Sequence, residues 1–444
     1  MLRNLFVILL AGFGTAYALT GAFNGLLYYL WVAHFRPESW VWDSLISNLN
    51  LSMIAGIMTL VGALFGRARF GFTVRTALLV AFCAQNIAST MLSPFFVGEW
   101  TPLSNFIKSV VVVYLMPTLA TDLVKLRRVF MVIALSLGFE GAKQGWVMLV
   151  TSPGAQNLNE VAHLGDNNAV AVGMLMVVAL MIGLAGSAEK RWERHFYQFM
   201  ALGVLYRSLS TYSRGGLLAC VAMGLWYVFR SKQRFFALVS IGLAGALLLP
   251  VLPSEFWTRM STINEAREDI ESADGSIRGR LHFWRVAVVM ANQNPLTGVG
   301  NFAYNANYDR YDPSGGEFGV NRSVHSSWFG VLAELGYPGF VLYVTIILAA
   351  FSACFRARAA TARGAPKVFA TYALALEMGL VAFAVGGSFV ILHTNELVWH
   401  FIGLTMALHA LAVAVPLEAT DAVPASGAAA EAGSIAPAGA WKHA

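Results

Sequence analysis

The sequence predicts an all-α integral membrane protein of about twelve transmembrane helices, with a large external loop containing surface helices between helices 9 and 10. Three observations favour this class. The 444 residues are 57% hydrophobic and only 12% charged, whereas charged residues make up about a quarter of an average soluble domain. Apolar stretches long enough to cross a bilayer core of about 30 Å recur along the chain. The basic residues concentrate in alternate connections between these stretches.

The apolar stretches define the order of the predicted elements. The first is too long for the apolar part of a signal peptide and lacks a small-residue cleavage site, so it is interpreted as a spanning segment. It could also be two half-height pieces that meet near Gly21 and Gly25. The twelve stretches lie at roughly 5–33, 46–65, 73–92, 105–121, 128–150, 168–186, 196–210, 215–229, 235–252, 327–355, 368–390 and 397–415.

These stretches divide the chain into four parts. Residues 1–252 hold predicted helices 1–9, residues 253–327 form the external loop, and residues 328–415 hold helices 10–12. The loop is charged and contains RLHFWRVAVVMANQN, whose mixed spacing favours an amphipathic helix against the membrane surface. Because a loop of this length on a compact protein is usually functional, we expect the working site there. The Ala/Gly/Pro-rich tail, residues 416–444, is predicted to be disordered.

The distribution of basic residues predicts the orientation. With a cytoplasmic N-terminus and alternating segments, the internal connections carry sixteen Lys and Arg residues, and the short external ones carry Arg36, Arg207 and Arg214. Because short cytoplasmic loops are enriched in Lys and Arg, both termini are predicted to be cytoplasmic. A nucleic-acid-binding protein would gather its basic residues on one surface, so nucleic acid is excluded as a partner. The sixteen residues are Arg67, Arg69, Arg75, Lys125, Arg127, Arg128, Lys190, Arg191, Arg194, Arg230, Lys232, Arg234, Arg356, Arg358, Arg363 and Lys367.

Three external features place polar residues where the membrane boundary must lie. They are LSTYSRGGLLA with Arg214, DGSIRGRLHFW with Arg278 and Arg280, and VHSSWFGVLAELGYPGF with His325. An arginine at a membrane edge is costly without a partner, and a phosphate matches the planar guanidinium two oxygens at a time. The ends of different helices can converge on one cavity, so these features favour a shared phosphate site.

Each feature also has a structural interpretation. Arg214 could extend to lipid headgroups, and Arg278 and Arg280 could pair with acidic residues of the same loop. A single histidine at a helix entrance, such as His325, is more often an interface residue than a base. An interface role is likewise the more frequent one for single histidines such as His163, His393 and His400. The Gly298–Val299–Gly300 segment follows no strand and is interpreted as a turn that ends a surface helix, not as a dinucleotide site.

No metal site or cofactor is predicted. The three cysteines, Cys83, Cys220 and Cys354, all fall inside apolar stretches, which favours neither a disulfide framework nor a zinc site. The sequence has no D-x-D pair and no His/Asp cluster with ligand spacing. Charge stabilisation would therefore depend on the arginines.

An ordered set of short motifs resembles the bacterial O-antigen ligase/polymerase superfamily. The motifs are TYSRGG, GRLHFW, PLTGVG and HSSWFGVLAELGYPG, and they surround a large loop before the last helices as in that family. The stretch EFWTRMSTINEAREDIESADGSIRGR and the segment GDNNAVAV at 165–172 more particularly resemble the exosortase-associated probable O-glycosylation ligases. The resemblance covers residues 150–350 well and the remainder through topology.

The resemblance implies an inverting, metal-independent glycosyltransferase in the bacterial inner membrane, with its active site facing the periplasm. It would move a glycan from undecaprenyl diphosphate to a hydroxyl of a lipid, polysaccharide or protein acceptor. By motif, Arg214 and Arg280 would bind the donor diphosphate, and His325 would be the base. Arg278 and Arg322 would support the diphosphate site. Many relatives have asparagine at the position of Ser326, which puts a role for that side chain in doubt.

Several alternatives remain open at this stage. Three external carboxylates, those of Glu160, Asp166 and Glu396, could replace His325 as the base. The enzyme could be a ligase or a repeat-unit polymerase, which differ only in the acceptor. A transporter is a further alternative, because transporters often carry charged residues near the bilayer midplane. Three ionisable residues within apolar stretches agree with it: Glu140, Lys143 and Glu377. Pairing between helices would also explain these residues. A noncatalytic scaffold would have no need of arginines and a histidine at converging helix ends.

Overall fold

The helices follow the predicted apolar stretches closely. The computed structural model describes residues 2–40, 50–66, 68–95, 100–161, 164–248, 257 and 275–415. These residues form fifteen α-helices and no sheet, as predicted: α1 (Leu2–Leu19), α2 (Ala22–Phe35), α3 (Leu51–Phe65), α4 (Val74–Leu92), α5 (Thr101–Leu119), α6 (Leu123–Thr151), α7 (Asn167–Gly186), α8 (Arg191–Leu209), α9 (Arg214–Arg230), α10 (Arg234–Leu248), α11 (Gly275–Gln293), α12 (Tyr304–Tyr311), α13 (Ser327–Ala360), α14 (Val368–Gly386) and α15 (Glu396–Val413).

Five of the described helices are long and apolar enough to cross a membrane by length and composition. They are α5, α7, α13, α14 and α15. Helices α1 and α3 are apolar but shorter. The described part of the chain is therefore all-helical, with apolar helices that indicate an integral membrane protein, and the count of twelve crossings stays a prediction. The acidic part of the predicted loop, the tail after 415, Arg67 and His163 lie outside the described residues.

The first apolar stretch is two helices that pack antiparallel. Tyr28 of α2 donates a hydrogen bond to the carbonyl of Ala11 in α1 at 3.2 Å. Its ring covers Gly14, where a Cβ would lie 2.0 Å from a ring carbon, so the helices touch only because this residue is glycine. Arg3 and Phe35 line one cavity, so the start of α1 and the end of α2 lie together. We call this end of the bundle the outer end. The stretch is therefore a hairpin, with its turn at Gly21.

This hairpin determines where the two described chain ends lie in the bundle. Glu396, at the start of α15, lies close enough to Arg36 for their charges to interact, so α15 begins at the end of the bundle where α1 also begins. Helix α15 then runs to Val413 at the opposite end. The described chain ends therefore lie at opposite ends of the bundle, and the cytoplasmic location of both termini stays a prediction.

Helix α7 is the centre of the bundle. Of its most apolar 18-residue window, 89% is buried by other helices, although the prediction treated it like any other span. Helices α6 and α8 cross closely beside it because both carry glycine at the contact: a Cβ on Gly145 would lie 1.8 Å from the carbonyl oxygen of Gly203. Small residues at crossings allow such approach, and van der Waals packing then holds the helices together.

The three ionisable residues considered for a transporter all have partners, either between helices or within one helix. The fully buried Glu377 of α14 accepts hydrogen bonds from Arg230 of α9 at 2.9 Å and from Trp226 at 3.1 Å, and Arg358 of α13 lies 3.3 Å away. Lys143 lies 2.7 Å from a carboxylate oxygen of Glu140, three residues earlier on α6. The structural interpretation of these charges is therefore sufficient, and they give a transporter no support.

A second, smaller core covers the outer end of the bundle. Helices α11 and α12 pack through Val286, Met290 and Tyr308, and this core includes Ala333 at the start of α13. The turn after α11 docks into a break in α13 at Gly336, which has φ +67. The amide of Val299 donates to the carbonyl of Ala333 at 2.9 Å, so the turn uses backbone groups released by the break. The predicted turn at 298–300 thus joins the outer core to the bundle.

Candidate active site

Arg214 occupies the first position of α9, at the outer end of the bundle. The preceding turn is tight, with Tyr212 in the left-handed region at φ +59. Ser213 begins the helix by accepting a hydrogen bond from the amide of Gly216 at 3.1 Å. The same hydroxyl donates to Asn168, in the first turn of α7, at 2.7 Å. Arg214 therefore leaves a turn that is held against the start of the central helix.

The segment 152–161 holds this turn from the other side. The amide of Asn157 donates to the carbonyl of Ser210 at 2.8 Å, and the side-chain amide of Gln156 donates to the backbone carbonyl of Thr211 at 3.2 Å. The hydroxyl of Tyr212 donates to the carbonyl of Gly154. These contacts link residues about fifty positions apart, so the position of Arg214 depends on tertiary structure rather than on its local sequence.

Arg207 is the residue in this region that the sequence argument missed. It was counted as an external loop arginine, but its side chain is 0% exposed. The guanidinium donates to Gln144 at 2.6 Å and to the carbonyl of Asn159 at 2.5 Å. Its role is to fix the segment that supports the Arg214 turn. Its position inside an apolar stretch was the available signal, because a charge there requires buried partners.

Phe389 lies between the helices that carry Arg214 and Arg280. A Cβ on Gly215 would lie 2.8 Å from the Cβ of Phe389, and the ring of Phe389 lies 6.3 Å from that of Trp284. Trp284 is one helical turn beyond Arg280 on α11. The starts of α9 and α11, which carry the two predicted arginines, therefore both lie beside Phe389.

His325 lies with Arg280 and immediately precedes the caps of α13. Its φ of +46 is in the left-handed region, where a residue with a Cβ is strained. The side chain is half-buried, and its ring lies 6.2 Å from that of Phe283. Such strain persists only where surrounding structure holds it, and it is frequent at active sites.

The charges around His325 come from three separate elements. Burial lowers the pKa of His325 below its usual value of 6.5, and the positive charges of Arg280 and Arg322 lower it further. Asp166, the cap of α7, acts in the opposite direction. The imidazole is therefore neutral near pH 7 and able to accept a proton.

Serine side chains fix the backbone that carries His325. Ser326, fully buried, caps α13 by accepting from the amide of Phe329 at 3.4 Å. Ser327 donates to the carbonyl of Val390 at 2.7 Å and accepts from the amide of Leu392 at 2.8 Å. Ser326 therefore acts as a helix cap, and the segment between α14 and α15 holds the entrance of α13 in place.

A buried contact between a carboxylate and an imidazole extends this support. Glu334 and His393 lie 3.4 Å apart with side chains 9% and 5% exposed. The amide of Tyr304, at the start of α12, donates to Glu334 at 3.4 Å. The pair thus links α13, the outer core and the segment before α15. The sequence suggested only an interface role for His393, because nothing local indicated a partner 59 residues away.

The two remaining predicted arginines lie at the rim. Arg278 is 42% exposed and lies 3.8 Å from Glu317; the loop carboxylates considered as its partners lie outside the described residues. Arg322 is exposed and donates to the carbonyl of Phe318 at 2.7 Å. The ring of Phe318 stacks on His282 with centroids 4.4 Å apart. The rim is therefore an ordered part of the outer core.

His282 and Asp312 form the polar contact that closes this rim. Their side chains lie 2.7 Å apart and are 8% and 3% exposed. Burial would raise the pKa of Asp312, but hydrogen bonds from Ser314, Gly316 and His282 lower it to about 2. The carboxylate is ionised throughout the physiological range and holds the loop after α12.

Of the three carboxylates considered as alternative bases, only Asp166 lies with the arginines. It acts on His325 and also accepts from the amide of Ala169 at 2.8 Å. Glu396 lies beside Arg36, and Glu160 lines a separate cavity. Within the described part of the chain, no group of three or more His, Cys, Asp or Glu side chains is arranged to hold a metal ion.

Comparison with known families identifies the part of the chain that carries this site. Residues 199–344 match the family described as O-Antigen ligase, and residues 2–185 match a Family of unknown function (DUF5935). Residues 199–344 are therefore similar to an O-antigen ligase domain. The match confirms the predicted resemblance to that superfamily and indicates a membrane enzyme of the O-antigen ligase or polymerase type. The narrower resemblance to the exosortase-associated ligases stays a prediction. No curated protein matches the chain.

The site is assembled from both matched regions. The O-antigen ligase domain contains all five predicted site residues: Arg214, Arg278, Arg280, Arg322 and His325. Asp166 and the segment that supports the Arg214 turn belong to the region of unknown function. That region therefore contributes to the geometry of the site, in addition to its membrane helices.

Proposed function

We propose that the protein is an inverting glycosyltransferase that moves a glycan from undecaprenyl diphosphate to an acceptor hydroxyl at the periplasmic face of the bacterial inner membrane. One observation carries the proposal. A neutral, strained His325 lies within the fields of Arg280 and Arg322, at the end of the bundle where Arg214 also lies, inside the O-antigen ligase domain.

In the proposed reaction, Arg214 and Arg280 bind the donor diphosphate. The acceptor oxygen attacks the anomeric carbon from the face opposite the diphosphate, and the bond between that carbon and the phosphate oxygen breaks. The electron pair leaves with the polyprenyl diphosphate, where the guanidinium groups stabilise the growing charge. They supply the positive charge that a divalent metal supplies in many sugar-nucleotide transferases.

His325 receives the proton of the acceptor hydroxyl as it attacks. Its depressed pKa keeps the imidazole unprotonated near neutral pH, as a general base requires. Asp166 opposes that depression and could help to orient the ring. Arg278 and Arg322 lie at the rim and would guide the diphosphate into the site.

The test uses purified protein in nanodiscs with an undecaprenyl-diphosphate-linked glycan, an acceptor and EDTA. Release of polyprenyl diphosphate is measured. Arg214→Ala and Arg280→Ala should each abolish release, and the matching Lys variants should recover little of it because lysine lacks the two-pronged geometry. His325→Ala should abolish transfer but keep donor binding. Normal release by either alanine variant of the arginines would exclude the diphosphate site.

A repeat-unit polymerase is the second candidate, since the same domain match covers both types. The two differ in the acceptor, and product length separates them. A single addition to a lipid or protein hydroxyl indicates a ligase, whereas growth of the glycan by repeat units indicates a polymerase. The resemblance to the exosortase-associated ligases favours the ligase, and this preference remains part of the proposal.

A further inference from the structure

A large cavity lies at the inner end of the bundle, opposite the outer end and the candidate active site. The turn of the α1–α2 hairpin at Gly21 forms one side of it. The end of α3 packs against this turn, since a Cβ on Gly62 would lie 3.2 Å from the Cα of Ala22. The connection between α5 and α6 forms the remaining side. The volume of the cavity is about 860 Å³, within the range of small-molecule sites.

Most of the cavity wall is apolar and follows α3. The lining residues of this helix extend from Ile57 to Gly66, a length of about 14 Å at 1.5 Å per residue. Ile57 and Val61 are 55% and 43% exposed, so their apolar surfaces are accessible to a ligand. A polar ligand that filled this length would lose its water against an apolar wall, which is costly. An acyl chain is buried there favourably.

The inner rim of the same cavity is positively charged. Arg69 follows the end of α3 and is exposed, and Lys125 lies in the first turn of α6 with a side chain 36% exposed. Thr118 and Thr121 add hydroxyl groups to the wall. No acidic side chain lines the cavity among the residues that the structure describes. Guanidinium, ammonium and hydroxyl groups are the donors that bind phosphate oxygens, so the rim is complementary to a phosphate.

The contacts of Lys125 fix its ammonium at the rim without removing the positive charge of the rim. The ammonium lies 5.7 Å from the centroid of the Phe23 ring and donates to Thr121 at 2.8 Å. Asp122 lies 3.5 Å from it, but this carboxylate also accepts from the amide of Lys125 at 2.8 Å as the cap of α6. An exposed pair of this kind is weak. Together with Arg69, the positive charges at the rim outnumber the negative ones.

From this combination we propose that the cavity binds an anionic phospholipid, with an acyl chain along α3 and the phosphate at Arg69 and Lys125. The apolar wall and the charged rim follow each other in the order of a phospholipid, whose phosphate is attached above its chains. A zwitterionic lipid has the same phosphate but adds a cation, which the two basic side chains repel. The bound lipid joins the hairpin turn, α3 and the start of α6. The proposal does not depend on the transfer reaction, because the cavity and the candidate active site lie at opposite ends of the bundle.

The experiment titrates the full chain in detergent with phosphatidylglycerol or phosphatidylcholine of the same acyl chains and counts bound lipids by native mass spectrometry. The protein should bind phosphatidylglycerol more tightly. Each Arg or Lys beside an anionic headgroup contributes about fivefold to affinity, so the double variant Arg69→Gln/Lys125→Gln should weaken phosphatidylglycerol binding about 25-fold. The affinity for phosphatidylcholine should not fall.

A matched control removes a charge from the same end of the bundle but outside the cavity. Arg194 is exposed on α8, next to Glu193, which pairs with Arg127 of α6. Arg194→Gln should therefore leave the affinity for phosphatidylglycerol unchanged. An equal loss in this variant would show that the lipid responds to the overall surface charge.

Val61→Trp tests the apolar part of the cavity and keeps both basic side chains. Because Val61 is 43% exposed, the larger side chain enters the cavity rather than the packed core. The variant should reduce the affinity for phosphatidylglycerol to that for phosphatidylcholine. A third probe, sn-glycerol 3-phosphate, carries the phosphate without chains and should compete poorly with the lipid.

Each outcome decides the proposal. A preference for phosphatidylglycerol that both the double variant and Val61→Trp abolish supports it. Equal binding of the two lipids, binding that either variant leaves unchanged, or an equal loss in Arg194→Gln would overturn it. Tight binding of glycerol phosphate would identify a soluble anion as the occupant, and a dimer that Val61→Trp dissociates would identify a second copy of the chain. Either result would also overturn the proposal.

Discussion

Arg207→Met should loosen the segment that positions Arg214 while leaving the bundle folded. Methionine keeps the length of the side chain but removes the guanidinium, which makes two short hydrogen bonds, to Gln144 and to the carbonyl of Asn159. Each buried acceptor left without a partner costs about 1–3 kcal/mol. Of the two acceptors, only the carbonyl of Asn159 belongs to the segment 154–161. The segment should therefore lose about 1–3 kcal/mol of local stability, which raises its open population by roughly 5-fold to 150-fold.

Hydrogen–deuterium exchange of peptides covering 154–161 and 210–216 measures this opening, and the transfer assay measures its effect. We expect faster exchange in both peptides, together with a lower transfer rate and nearly normal donor affinity. Arg194→Met, at an exposed position of the same helix, is the matched control. Unchanged exchange in both peptides after Arg207→Met would show that the guanidinium does not hold the segment, and the reasoning would fail.

Three further predictions follow from the contacts around the site and in the bundle. Asp166 raises the pKa of His325 and Arg322 lowers it. In a pH profile of kcat/KM for transfer, Asp166→Asn should therefore move the acidic limb to lower pH, and Arg322→Gln should move it to higher pH. Glu377→Gln should lower the free energy of unfolding by about 3 kcal/mol, since it breaks a buried ion pair whose arginines keep some solvent access; thermal unfolding measures this. Gly298→Ala should abolish transfer and lower the Tm, because its φ is +64 and a Cβ would lie 2.4 Å from a backbone carbonyl of α13.

Controls separate these effects from general damage. Asparagine can still cap α7 in place of Asp166, so the first variant removes only the charge. Shifts of the acidic limb in the same direction for both variants would contradict the assignment of His325 as the base. Gly315→Ala has a similar φ of +65 but open space around its Cβ. A loss of stability as large as that of Gly298→Ala would show that backbone strain, and not the docked turn, is responsible.

The sequence was sufficient for most helix positions because each apolar stretch carries its own boundaries. The stretch 168–186, for example, became α7 at Asn167–Gly186, with Asp166 as the cap. It was not sufficient for the first stretch, where composition is uniform through the turn at Gly21. Gly21 and Gly25 indicated where two pieces could meet, but not that the two pieces would pack antiparallel. The close approach of Tyr28 to Gly14 makes that packing possible, and no local pattern reveals this contact.

Some site residues could be found from local motifs, whereas others depend on partners that are distant along the chain. Arg214, Arg280 and His325 were found because they stand in short motifs at the ends of apolar stretches, although their proposed roles stay predictions. Arg207 was missed because its partner Gln144 lies 63 residues away, and the Glu334–His393 contact was missed because its two members lie 59 residues apart. Side-chain networks of this kind become visible only when the helices are packed.

The break at Gly336 separates the longest helix, α13, into two parts with different roles. Beyond it, residues 337–360 extend for about 36 Å at 1.5 Å per residue, which exceeds the hydrocarbon thickness of about 30 Å. The preceding segment is therefore surplus to any crossing, and it is joined by hydrogen bonds to the turn after α11 rather than continuing the span. Residues 337–360 can therefore change their tilt with the thickness of the bilayer. The start of α13, which follows His325, keeps its position against α11 and α12.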